Sequence, residues 1–317
     1  RSFDTAHGHP FTISPLAIVK EPIRTIKGLG AYYQAKARRL DPERQVVKCE
    51  DLFRRTMFEL KYDYLVCAMG CKTNTFGTPG VAEREGKDVF FLKHLWHARQ
   101  IRQRTIACFE RASMPGISEA ERSSLLSFIV VGGGPTSCEF VTELHDFLRV
   151  DVARWYPDLA KLVRVTVVEA GPYILGSFDR ALVDFYKKSL LKKDIDVRTE
   201  TAVVGVREGP HPKEDFDWTI ARLDNGAQIP FGMMVWSAGL APVKFTENCN
   251  LPMDSKNGRI VIDDYLRYGE DDHPPCNQEY AGGVMESRDR LFGPQKLAQP
   301  CIMMASPSPL LGPLGYK

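Results

Sequence analysis

The sequence predicts an α/β protein, and three observations predict it. An apolar, β-branched run, Phe128-Ile129-Val130-Val131, feeds the glycine-rich turn Gly132-Gly133-Gly134-Pro135. A helix-like segment, Glu139 to Leu148, follows that turn. A second β-branched run, Val165-Thr166-Val167-Val168, then ends on Glu169. Strand, glycine turn, helix, strand and terminal acid, in that order, are the signature of a dinucleotide-binding βαβ unit.

Each part of the unit has a physical task. Gly132 permits the tight turn, and Gly134 lets the backbone approach a pyrophosphate, which rests on the N–H groups of the helix N-terminus. Glu169 is placed to accept hydrogen bonds from both hydroxyls of an adenosine ribose. A carboxylate there repels a 2′-phosphate, so NADH is expected to be preferred over NADPH, and Glu169→Gln to narrow that preference. Two features depart from the pattern. The third glycine position holds Ser137, which is small enough for close helix–strand packing. The gap from the turn to Glu169 exceeds the usual ~20 residues, and Val150 to Lys161, containing Trp155-Tyr156-Pro157, reads as an insertion after the helix. The competing reading is a chance glycine-rich turn in some other α/β protein.

A chain of 317 residues can bury a sizeable core and suggests about two domains. A net charge of +2, with no run of Lys and Arg interleaved with aromatics, gives no electrostatic case for nucleic acid. No apolar stretch approaches the ~20 residues that span a bilayer. The segment Arg1 to His9 has neither an initiator Met nor an apolar signal core, and reads as a fragment or a processed end. The eight cysteines include no C-x-x-C pair, which points to a reducing compartment and away from a disulphide-reductase flavoenzyme. Cys67 and Cys71 are expected to be buried as small apolar side chains, with a redox pair as the alternative. His94 and His97 could share a helix face, but no Asp, Glu or Cys completes a ligand set, so packing or solvated histidines and no metal are expected. His7 and His9 fall in a terminus expected to fray.

Along the chain, residues 1–30 read as irregular, broken by Pro10, Pro15 and Pro22. Ala31 to Cys49 reads as a hairpin turning at Asp41-Pro42-Glu43-Arg44. Lys61 to Met69 reads as a strand ending at Gly70. The segment Asn74 to Val81 is a Pro/Gly-rich crossover. Phe91 to Ala112 reads as one helix, and Ser118 with Glu121 as a capping box opening a second. A helix over Asp179 to Lys193 and strands at Ile195–Arg198 and Ala202–Val206 follow. A hairpin is expected across Asp224-Asn225-Gly226, then a buried strand, Met233 to Ser237, ending in Ala238-Gly239. The strands ending near Gly70 and Gly239 finish alike and bracket the dinucleotide unit, as when one nucleotide-binding domain is inserted into another. Beyond Arg267 the chain turns polar, with one short helix at most in Arg288 to Met304 and a loose tail from Ala305 to Lys317.

Taken together, these residues resemble the type II NADH:quinone oxidoreductases, the single-chain alternative NADH dehydrogenases, in their eukaryotic branch. The ordered matches are Tyr62-Asp63-Tyr64-Leu65-Val66, Asn74 to Val81, the Gly132 to Asp146 block, Val168-Glu169-Ala170-Gly171, Ile174-Leu175, Phe178-Asp179, Val235 to Gly239 and Gly258-Arg259-Ile260-Val261, covering about residues 18 to 268. The resemblance implies a two-dinucleotide-binding-domain flavoprotein fold. An NADH-binding Rossmann-like domain (88–232) would be inserted into an FAD-binding domain (1–87 and 233–268), with an irregular tail (269–317). It implies hydride transfer from NADH to FAD and then to ubiquinone. By resemblance, Gly132, Gly134, Pro135, Thr136 and Ser137 line the NADH pyrophosphate. Glu139 lies near the nicotinamide as the catalytic candidate, although an acid in the first turn also suits the helix dipole. Glu169 holds the adenosine ribose, Ala238 and Gly239 lie at the seam with the flavin, and Ala68, Gly70 and Asn74 belong to the FAD side. Peripheral association with the mitochondrial inner membrane and a homodimer are further implications.

The chain also departs from the family. Nothing upstream of residue 30 resembles the first glycine-rich unit for the FAD pyrophosphate. Gly269 to Pro275 stands in place of an Ala-x-Gly-Asp segment, and Lys296-Leu297-Ala298-Gln299-Pro300 matches the quinone-site residues poorly. Pro307, Pro309 and Pro313 would stop the C-terminal membrane-docking helices. The FAD half is therefore expected to be truncated at both ends. Two further readings stand beside the oxidoreductase: a non-catalytic NADH-binding remnant, and another pyridine-nucleotide flavoprotein reductase.

Overall fold

The computed structural model describes residues 23–28, 30–255, 258–262 and 266–268, with the backbone alone at 301–305. It divides into a central unit, 73–239, and a flanking unit drawn from the chain on either side. Residues 1–22, with their prolines and His7 and His9, lie outside the described residues, as do 269–300 and 306–317.

The flanking unit begins with an antiparallel sheet. Strands β1 (Ala35–Asp41) and β2 (Val46–Asp51) form the expected hairpin, and β3 (Met57–Lys61) pairs with β2. The long strand expected from Lys61 is divided: Lys61 ends β3, and β4 runs from Tyr64 to Ala68. The polar Asp63 breaks the run. Cys67 on β4 is exposed and Cys71 half-buried, which corrects the expectation that both are buried. Gly70, at φ +68°, turns the chain into β5 (Cys71–Thr73). Leu40, Val47, Cys49, Tyr62, Phe245, Cys249 and Leu251 form this unit's core.

In the central unit, β6 (Val89–Phe91) precedes helix α1 (Leu95–Ala112), so the helix begins four residues later than expected. The apolar run Val89-Phe90-Phe91 is drawn into the sheet. The start of α1 is set by two histidines. His97 Nδ1 accepts hydrogen bonds from the N–H groups of Lys93 and His94, at 3.1 and 3.2 Å. His97 is 7% exposed, and burial, then the nearby His94 and Lys93 charges, lower its pKa to about 4. Its folded pKa lies below the unfolded value, so the unfolded chain takes up the proton first. Stability is full above pH ~6.5 and falls, by roughly 3 kcal/mol, as pH drops towards 4. Urea unfolding at pH 7 and 4.5 should show this loss in the unmutated chain and a smaller one in His97→Gln; equal losses would refute the assignment.

Helix α2 (Glu119–Leu125) is capped as expected: Ser118 Oγ accepts from Glu121 N at 3.1 Å, while the Glu121 carboxylate turns instead to Arg111, at 2.9 Å. Then come β7 (Ser127–Val131), α3 (Pro135–Asp146), β8 (Arg164–Val168), α4 (Arg180–Lys192) and β9 (Ile195–Arg198). The insertion after α3 is helical: a π-type turn, Phe147–Val152, carries the chain on to Trp155, with Phe147, Leu148 and Val152 buried. An antiparallel meander follows, β10 (Val203–Pro210), β11 (Asp217–Leu223) and β12 (Gln228–Phe231), with β10 ending four residues later than expected. Last comes β13 (Met233–Trp236).

The parallel sheet has the order β6-β13-β7-β8-β9. Alternate residues of its strands point to opposite faces. Phe128, Val130, Met233 and Val235 enter a core with Ile101, Phe109 and Leu144 from the helices. Ile129, Val131, Met234 and Trp236 enter a second core with Leu223 and Phe231 from the meander. Both faces are covered, which is why β7 and β13 read as unbroken apolar runs.

The chain then returns to the flanking unit through β14 (Leu240–Pro242), paired with β5, and a strand β15 (Cys301–Ala305) lies parallel to β4. The short helix allowed within Arg288 to Met304 is not found at 301–304, where the backbone is extended; the rest of that span lies outside the described residues.

Candidate functional site: a nucleotide turn at the carboxyl edge of the sheet

All five parallel strands end at one edge, where ligands of open α/β sheets bind. Strand β7, fully buried, delivers Gly132 to this edge. Gly132 adopts φ +108°, and a Cβ would stand 3.0 Å from Ala238 N, so glycine is required twice over. Its N–H donates to Val168 O at 2.8 Å, tying the turn to β8. Gly134 is the N-cap of α3, Pro135 occupies the first turn, and no side chain caps this end. Gly134, Pro135 and Thr136 are exposed, and a Cβ on Gly134 would meet nothing within 4 Å. The result is an open helix N-terminus beside a tight turn, with unpaired backbone N–H groups suited to an anion.

Ser137 faces the other way. It is fully buried, and its Oγ lies 2.6 Å from Ser237 Oγ, joining α3 to the end of β13. Past Ser237, Ala238 O accepts from Trp236 Nε1 at 3.1 Å, and the same N–H donates to Asn74 O at 2.9 Å. Asn74 N donates to Gly239 O at 3.3 Å, and Asn74 Oδ1 accepts from Phe76 N at 2.9 Å. Gly239, at φ +70°, lies against the Phe76 ring. The Asn74 backbone thus ties the 237–239 turn, while its side chain holds Phe76 against Gly239.

Glu169 follows β8 and is half-buried. Its carboxylate accepts from Gly133 N and, at 2.6 Å, from Gly171 N. Glu139 is exposed on the second turn of α3, beside an open groove of about 370 Å³ lined by Pro135, Thr142, Leu175, Phe178 and Tyr186. Cys138 borders the same groove. Burial pushes its thiol up to about 11, so it stays protonated at neutral pH and is no nucleophile there.

The structure therefore brings Gly132, Gly134, Pro135, Thr136, Ser137, Glu169, Ala238, Gly239 and Asn74 to one edge of the central unit, with Glu139 one turn along α3. Ala68 and Gly70 belong to the flanking unit, both exposed. Gly133, Ile174, Leu175 and Ser237 stand in segments the sequence singled out, but it gave none of them a role in the site. A Cβ on Gly133 would come within 2.9 Å of Glu169 and of Ile174 Cγ2. The only signal for this was a third glycine at a position where the motif is indifferent. Among the described residues, no group of three or more His, Cys, Asp and Glu could hold a metal ion, and the six described cysteines are free thiols.

A parallel sheet covered on both faces, with a glycine turn, an open helix N-terminus and a strand-end acid at its carboxyl edge, defines an α/β protein of the Rossmann-like class. The model for the family described as pyridine nucleotide-disulphide oxidoreductase matches residues 7–273. The chain belongs to that family. It is 41% identical over 256 residues to a probable NADH dehydrogenase of Dictyostelium discoideum, covering 78% of this chain and 53% of the relative. It is 34% identical over 289 residues to the external alternative NAD(P)H-ubiquinone oxidoreductase B1, mitochondrial, of Solanum tuberosum, covering 88% and 48%. A solved structure of NDH2 from Plasmodium falciparum in complex with NADH superposes with a TM-score of 0.64 at 27% identity, over 75% of this chain and 47% of that one. The chain spans about half the length of the curated relatives it matches.

Proposed function

We propose that the chain binds NADH at the Gly132 turn, as the nucleotide-binding part of an FAD-dependent NADH:quinone oxidoreductase. The observation that carries this reading is the exposed, uncapped N-terminus of α3 directly after the Gly132 turn, with Glu169 beside it. The names of the relatives, and the NADH bound to the P. falciparum protein, support it. In this reading residues 88–232 hold NADH. The N–H groups after Gly134 hold the pyrophosphate, with Pro135 pre-setting the first turn and Ser137 packing α3 against Ser237. Glu169 takes the adenosine ribose. Glu139 and the groove beside it face the nicotinamide end, and Ala238 and Gly239 lie at the seam.

The flavin, when bound, supplies the chemistry that takes up hydride and passes electrons to ubiquinone. We place it with residues 1–87 and 233–268, including Ala68, Gly70 and Asn74, on family grounds. Among the described residues of the flanking unit no helix N-terminus of two turns or more follows a glycine turn, so no pyrophosphate cradle for FAD is identified there. The second reading from the sequence is a protein that holds NADH without redox turnover. Work at the mitochondrial inner membrane, as a homodimer, follows from the same resemblance; among the described residues no helix is long and apolar enough to cross a membrane.

The visible absorption spectrum of the purified chain, before and after anaerobic NADH, separates the readings. Flavin bands that bleach support the oxidoreductase. No flavin after incubation with excess FAD, together with NADH binding, supports the second reading. Titrations should show NADH bound at least about tenfold more tightly than NADPH, because Glu169 opposes a 2′-phosphate; equal affinities would remove Glu169 from the ribose site.

A further inference from the structure

Gly133 is gripped through both its backbone N–H and its carbonyl. Its N–H donates to Glu169 Oε2, and its carbonyl accepts from Leu175 N at 2.6 Å. Leu175 reaches that position at φ +52°, a left-handed conformation that costs a γ-branched residue energy and persists where the surroundings enforce it. Ile174, 1% exposed, fills the space beside Gly133 where a side chain would otherwise stand. On the far side of Glu169, Gly171 N donates to Oε1 at 2.6 Å. One carboxylate therefore joins the glycine turn after β7 to the loop after β8. A carboxylate can accept about four hydrogen bonds, so one lone pair on each oxygen stays available to ribose hydroxyls.

We propose that Glu169 is a positioning residue for the pyrophosphate turn as well as a ribose ligand, with Gly133 and Leu175 completing the clamp. This rests on the nucleotide-binding reading above and deepens it: one side chain sets both the shape of the turn and the choice of ribose. Replacing the acid then does more than relax discrimination between NADH and NADPH. It also weakens ligands that never touch the side chain.

The test uses Glu169→Gln in the full chain, with ADP and 2′,3′-dideoxy-ADP as probes and calorimetry as the readout. Gln keeps one acceptor oxygen but turns an NH₂ towards a backbone N–H, so one arm of the clamp is lost. Dideoxy-ADP has no ribose hydroxyls for the acid to hold. Loss of a negative charge alone would strengthen binding of this anionic ligand. The clamp predicts the reverse, a weakening of about tenfold, roughly one lost charge-assisted hydrogen bond. Dideoxy-ADP binding that is unchanged or tighter in the variant overturns the proposal. A second readout needs no ligand: amide hydrogen exchange over 131–135 and 171–176 should quicken in the variant while the 165–168 strand keeps its protection. Equal exchange in both proteins also overturns it. If the unmutated chain binds neither nucleotide, the NADH reading fails, and the exchange rates alone decide whether the clamp exists.

Discussion

Gly134→Leu is expected to weaken NADH binding at least about a hundredfold, some 2.7 kcal/mol, while the protein stays folded. The backbone at Gly134 has φ −75° and ψ 175°, which leucine adopts readily, and a Cβ there meets no atom within 4 Å. In the proposed function, the space that the leucine fills is the space a pyrophosphate needs at the head of α3. Its neighbours behave differently. Gly132 is held by its positive φ and by Ala238, and Gly133 by Glu169 and Ile174, so a side chain at either position disturbs the turn itself. Gly134 is therefore the position at which binding separates from folding. Fluorescence titration with NADH, beside a thermal melt, reads both. Unchanged affinity in the variant would mean that the turn serves the fold alone.

Asp88→Ala is expected to destabilise the central unit by about 3 kcal/mol, the scale for removing one partner of a buried ion pair. Asp88 is 4% exposed, immediately before β6. Its carboxylate accepts from Arg84, with Nε at 2.8 Å from Oδ1 and a second guanidinium N–H on Oδ2, and from Thr219 Oγ1 at 2.8 Å. The hydrogen bond to Asp88 is also the main cause that holds Arg84 above its ordinary pKa. Alanine leaves Arg84, itself poorly exposed, facing only Glu208 at 2.9 Å and Thr219. Urea unfolding at neutral pH measures the loss. A value below about 1 kcal/mol, within the range of a surface pair, would show that Glu208 and Thr219 satisfy Arg84 unaided.

The dinucleotide unit was legible because each of its parts is local. The β-branched runs of β7 and β8, the glycines between them and the acid at Glu169 lie within one stretch of sequence, and each follows from a backbone requirement. Caps and turns such as Ser118 and Asn225-Gly226 were legible for the same reason. The misreadings involve partners distant in sequence. Phe91, read as the start of the helix, has no helix-breaking residue beside it, and it is strand because Trp236, far along the chain, pairs with it. Cys67 sits in an apolar run, yet it is exposed on β4, and residue spacing alone does not show which face of a strand is covered. His97 could be weighed as a ligand or a packing residue, whereas its use as a helix cap depends on burial that no spacing reveals. In the site, Ser137 was legible as a small residue at a close approach, but its bond to Ser237 joins positions that only the sheet order makes neighbours.

That sheet order governs how the protein can be made. Strand β13 lies between β6 and β7, yet it is the last of the five to leave the ribosome. From the synthesis of Val131 until that of Met233, β6 and β7 have no strand between them, and these apolar strands stand with open hydrogen-bonding edges. Closure then requires inserting an interior strand between two that precede it in the chain, a non-local and therefore slow event. A nascent chain stalled before Met233 would be a natural client for a chaperone that shields strand edges, and one extended past Gly239 would not.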